Sequence, residues 1–117
     1  MPSIRDLVAA IRQRPGVDAA IVLGPDGLLI AGDADAAVDR DALAARVPAL
    51  LGAARGLAST SGRGDLRTAV LEHEAGLLIV SVLSSDAILM VLVSPSADVG
   101  ALVLELRRNR QHLASLV

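Results

Sequence analysis

The residues best suited to proton transfer or metal binding are few and poorly spaced for either task. His73 and His112 are the only histidines, and neither belongs to an H-E-x-x-H or comparable ligand pattern. Glu72-His73-Glu74 sets an imidazole between two carboxylates, but neighbouring strand positions point to opposite faces, so the cluster reads as a solvated turn. Serines are plentiful, yet there is no G-x-S-x-G elbow and no identifiable acid to orient either histidine. Cysteine is absent, and all 11 basic residues are arginine. These counts exclude thiolate nucleophiles, Schiff-base lysines and the phosphate-binding lysine of a Walker A loop. No catalytic, cofactor-binding or metal-binding residues are assigned, and the chain is not expected to be an enzyme.

Two glycine-rich stretches invite a similar test. Ser61-Gly62-Arg63-Gly64 could form an anion-binding nest, but it precedes a strand and lacks a helix terminus behind it; a flexible connection is the simpler reading. Arg63 is conceivable as an arginine finger for a partner GTPase, although nothing singles it out. Gly24-Pro25-Asp26-Gly27 closes a hairpin and does not open a helix as a dinucleotide fingerprint must.

The formal charge of −2 is spread without a basic patch, and there are no aromatic residues on which bases could stack. Nucleic-acid binding is therefore not expected. The N-terminus lacks the pattern of a signal peptide, which with the missing cysteines favours the cytoplasm. Gly76 to Val93 approaches membrane-spanning length, but Ser84-Ser85-Asp86 divides it into two buried strands, so membrane insertion is not expected.

The elements that would carry any site follow from periodicity. Ser3 caps a first helix with Ile4, Leu7, Val8 and Ile11 on one side and Pro15-Gly16 beyond its end. Val17 to Leu23 and Leu28 to Ala31 form a hairpin around Asp26-Gly27. After an acidic linker, Gly32 to Val38, Asp39 caps a long helix reaching about Ala58, with Leu43, Val47, Leu50, Ala54 and Leu57 as its apolar stripe. Strands at Leu66 to Glu72, Leu77 to Leu83 and Ala87 to Val93 follow with short turns, hence antiparallel. The last two are apolar at nearly every position, so both faces need cover. A closing helix carries Val99, Leu102, Val103 and Leu106, with Arg107, Arg108 and Arg110 at its negative end. The expected fold is a single α+β domain over residues 1–117, an αββαβββα sandwich with a five-stranded, mainly antiparallel sheet and helices on both faces.

The long helix is the informative element. Ala45, Ala49, Gly52 and Gly56 lie opposite the leucine stripe, where a solvated face would carry charges. Each interior glycine costs about 1 kcal/mol relative to alanine, and Pro48 removes a backbone donor. Close approach of another backbone would offset those losses, with Asp41, Arg46 and Arg55 as marginal partner contacts. A genome rich in alanine and glycine codons is the competing explanation. The more polar strand containing Arg67, Ala69 and Leu71 reads as a sheet edge, either open to strand pairing or protected by Arg67 and Glu72.

With these elements placed, the sequence resembles the roadblock family, which includes dynein light chains, endosomal scaffold subunits and bacterial regulators of Ras-like GTPases. The resemblance rests on the run from Gly16-Val17 through Asp26-Gly27 to Ala31, the alanine-rich helix, the Gly64-Asp65-Leu66 entry to the meander, and the aliphatic strand pair before the last helix. It implies a noncatalytic homodimer in which the long helix and the first meander strand meet their counterparts. It further implies that this bacterial-looking chain binds and regulates or scaffolds a small Ras-like GTPase. The alternatives are a scaffold subunit that forms heterodimers with a related roadblock chain, and a small-ligand sensing domain.

Overall fold

The computed structural model describes residues 3–117. The first helix, α1 (Ile4–Arg12), begins with a reciprocal cap: the Asp6 N–H donates to Ser3 Oγ at 3.2 Å, and the Ser3 N–H donates to the Asp6 carboxylate at 2.9 Å. Its buried side presents Val8 and Ile11 to the core. Strands β1 (Val17–Leu23) and β2 (Leu29–Ala34) form the expected hairpin. Gly27 at its turn has φ +83°, and a Cβ there would come within 3.2 Å of the Ala44 carbonyl, Ala45 Cα and Pro48 Cγ. Glycine is thus required both by the backbone and by the helix lying over it.

That helix is α2 (Arg40–Ser61), capped by Asp39, whose carboxylate accepts from the Ala42 N–H at 3.1 Å. It is continuous through Pro48 and stops at Gly62, where φ is +69° and the Gly62 and Arg63 N–H groups return to the Ser59 and Ala58 carbonyls. Ser61-Gly62 is therefore a helix terminus, and the helix runs past the Ala58 boundary expected from the sequence. The meander comprises β3 (Thr68–His73), β4 (Gly76–Ser84) and β5 (Ala87–Val93).

All neighbouring strands are antiparallel in the order β2-β1-β5-β4-β3. The central strands β1 and β5 match their expected limits. In contrast, β2 continues to Ala34 through residues read as linker, because Gly32, Asp33 and Ala34 pair with Ile21, Ala20 and Ala19. The β1–β2 register shifts between Val22 and Leu23, leaving Ile30 unpaired between Leu29 and Ala31. The closing segment also differs from expectation. Helix α3 (Val99–Arg108) ends at Asn109, and Arg110 begins a separate short helix, α4 (Arg110–Ser115), giving αββαβββαα.

Two apolar layers sandwich the sheet. On one face, Val8 and Ile11 of α1, Leu102 and Leu106 of α3 and Leu113 of α4 pack on Val22, Ile79, Leu89 and Val91. On the other, α2 presents Ala44, Val47 and Leu51 to Ile21, Leu23, Val80, Ile88 and Met90. The seam of α2 is thus rotated from the expected stripe: Val47 is buried, Leu43, Leu50 and Ala54 are half-buried, and Leu57 is 74% exposed. The seam follows the contact of α2 with β1 and β2, so Leu57, farther along the helix, stands clear of the core. Arg12 ties α1 to the hairpin, donating to the Val17 carbonyl at 2.7 Å and to the Asp35 carboxylate at 2.6 Å. Arg14 pairs with Glu105 of α3.

Candidate protein interface

One helix cannot cover this sheet. Five strands at about 4.8 Å spacing span roughly twice the width of a helix about 10 Å across. Helix α2 lies over β2 and β1, so Ala69, Leu78, Val82 and Leu92 remain only half-buried on its side of the sheet, as does Leu71, which pairs with Leu78 on the same face. The outer surface of α2 is apolar as well. Ala45, Ala49, Gly52 and Gly56 are all exposed, and a Cβ added at Gly52 or Gly56 would meet nothing within 4 Å. No contact within the described chain therefore requires glycine at either position. Asp41, Arg46 and Arg55 are exposed around this surface. A groove joins the end of α2 to the meander, lined among others by Arg55, Ala58, Leu66 and Val82.

Beside this surface the sheet ends in β3, which has β4 as its neighbour on one side and none among the described strands on the other. Arg67 precedes the strand proper, but its carbonyl accepts from the Val82 N–H at 2.9 Å and so begins the ladder. Arg67 is exposed, Ala69 and Leu71 are half-buried, and Val70 is 44% exposed. Ala69 and Leu71 lie on the α2 side of the sheet. Thr68 lies on the other, where the Arg110 guanidinium donates to its Oγ1 at 2.8 Å.

The sequence places Arg110 among three arginines at the negative end of a closing helix, whereas the fold puts it at the start of α4 against the β3–β4 pair. Its Nη2 also approaches the Arg67 carbonyl and Ser81 Oγ, each at 3.4 Å, while Nε is buried without a hydrogen-bond partner. Burial, then the positive charges of Arg67 and Arg107, lower its pKa from the ordinary arginine value. Among the described residues no carboxylate pairs with it; the ion pairs are Arg12–Asp35 and Arg14–Glu105. No sequence signal could have found this environment, since Thr68 and Arg110 lie 42 positions apart.

Glu72, His73 and Glu74 are exposed at the β3–β4 turn. Among the described residues, no group of three or more His, Cys, Asp or Glu side chains is placed to hold a metal ion. No helix of the described residues is long and apolar enough to cross a membrane.

Comparisons with known proteins converge on one family. Residues 4–93 match the family described as Roadblock/LC7 domain. An uncharacterized protein of Methanocaldococcus jannaschii is 30% identical over 106 residues, covering 91% of this chain and 92% of the relative. The crystal structure of a Roadblock/LC7 domain from Streptomyces avermitilis superposes with a TM-score of 0.84 at 28% identity, covering 96% of this chain and 95% of that one. Myxococcus xanthus MglB shares the fold with a TM-score of 0.87 at 18% identity, over 97% of this chain and 93% of that one.

Proposed function

The chain belongs to the Roadblock/LC7 domain family, and from that premise we propose that it is a noncatalytic, homodimeric cytoplasmic module that binds and regulates or scaffolds a small Ras-like GTPase. The observation that carries this reading is the outward face of α2. Ala45, Ala49, Gly52 and Gly56 are exposed together, and the glycines have no neighbour to accommodate. A second helix can approach such a face closely, with Ala69 and Leu71 continuing the contact and Arg67 at its margin. Asp41, Arg46 and Arg55 then border the paired helices and are available to a GTPase. The GTPase itself is supported by the family resemblance, whose bacterial members include regulators of Ras-like GTPases.

Ala49→Glu tests the dimer. The side chain is exposed, so the variant is expected to fold normally but to sediment as a monomer at concentrations where the parent chain is dimeric. Unchanged mass would remove the α2 face from the interface. For the second half of the proposal, a Ras-like GTPase encoded beside this gene should bind the purified chain in at least one nucleotide state and show altered GTP turnover. Absence of binding in both the GDP state and a GTP-analogue state would reject that GTPase as the partner.

A further inference from the structure

The backbone of β3 carries a pattern that specifies how a second copy would pair with it. In an antiparallel ladder, residues directly opposite one another alternate between those that exchange hydrogen bonds and those that do not. The Val82 N–H donates to the Arg67 carbonyl, and Thr68 to His73 pair with Ser81 to Gly76 in unbroken register. Hence Arg67, Ala69, Leu71 and His73 direct their backbone groups toward β4, while Thr68, Val70 and Glu72 direct theirs to the open edge. Two copies related by a two-fold axis must bring outward residues opposite outward residues. Placing Val70 opposite its own counterpart pairs Thr68 with the second copy's Glu72, and uses all three outward positions of both strands.

Charge fits the same register. Directly opposed residues lie on one face with Cβ atoms about 5 Å apart, so Glu72 of one copy comes beside Thr68 of the other, where Arg110 is held at 2.8 Å. Arg110 is half-buried, feels the positive charges of Arg67 and Arg107, and has no carboxylate paired with it among the described residues. Glu72 is exposed, and the ion pairs among the described residues, Arg12–Asp35 and Arg14–Glu105, leave its carboxylate without a basic partner. We propose that Arg110 of each protomer forms an ion pair with Glu72 of a second copy of this chain, across an antiparallel β3–β3 junction centred on Val70. The inference rests on the homodimer reading above and adds to it the register and the residues that fix self-recognition.

Charge reversal separates the two layers of the argument. Arg110→Glu sets two carboxylates together at each of the symmetry-related contacts, and Glu72→Arg sets two guanidinium groups together; each is expected to raise the dimer Kd about tenfold or more. The double variant R110E/E72R restores opposite charges and is expected to recover most of the loss. An equimolar mixture of the two single variants, one carrying a mass tag, should form the mixed dimer in preference to either homodimer by native mass spectrometry. Circular dichroism monitors folding, and Glu72→Arg removes no hydrogen bond within the described chain, so it remains informative if Arg110→Glu loosens α4. A dimeric parent whose Kd is unchanged by Glu72→Arg, with no preferential mixed dimer, would overturn the ion pair while leaving the homodimer standing. A parent chain that stays monomeric would overturn both.

Discussion

Two glycines of opposite character separate what the fold requires from what only the proposed dimer would use. Gly76 has φ +147°, and a Cβ there would lie 2.2 Å from the Val93 carbonyl oxygen. Gly76→Ala is therefore expected to destabilise the chain by more than about 1 kcal/mol, read as a lower urea midpoint. Gly52 lies in open space on a regular helix. In dilute, dissociated protein Gly52→Ala is expected to stabilise by up to about 1 kcal/mol, yet weaken dimerisation by holding two helices apart. A gain in stability with unchanged Kd would place Gly52 outside the helix contact. The sequence already marked the small-residue face through its missing charges, and Ser3 and Asp39 through the donors following them. It could not mark Arg110, whose role depends on burial beside a strand far away in the chain.

At the level of elements, outward and inward backbone groups on β3 can be told apart with proline, which lacks the N–H. Val70→Pro removes a donor aimed at the open edge and is expected to leave a folded monomer. Ala69→Pro removes a donor used by β4 and is expected to lower thermal stability as well. Equal loss of stability in both variants would contradict the assigned alternation. Strands β1 and β5 were legible to the residue because apolar runs between turn formers leave little choice. Strand β2 was underestimated since its end is held by backbone pairing at an edge, where Gly32 and Asp33 carry no apolar signal. The rotated seam of α2 escaped periodicity for a related reason: a helix with apolar residues on several sides does not announce which side meets the sheet. The sheet made that choice by packing Ala44, Val47 and Leu51 against β1 and its neighbours.

For the whole molecule, the proposed dimer would couple stability to association, because the sheet is wider than the one described helix packed on its α2 face. The midpoint of thermal unfolding is expected to rise with protein concentration, as mass action requires when only the folded chain dimerises. Ala49→Glu should abolish that dependence, and a parent midpoint independent of concentration would show that the dimer adds nothing to stability. The two margins of the sheet are unequal, however. At β3 the ladder is regular and ready to extend, whereas β2 has the unpaired Ile30, the exposed Asp33 and, just beyond its end, Asp35 in an ion pair with Arg12. A two-fold junction consumes the receptive margin of both copies and turns the irregular, acidic one outward at each end. In the proposed dimer, growth is then expected to terminate at two subunits, with the bulge that interrupts the hairpin acting as the stop that keeps an adhesive sheet from becoming a fibre.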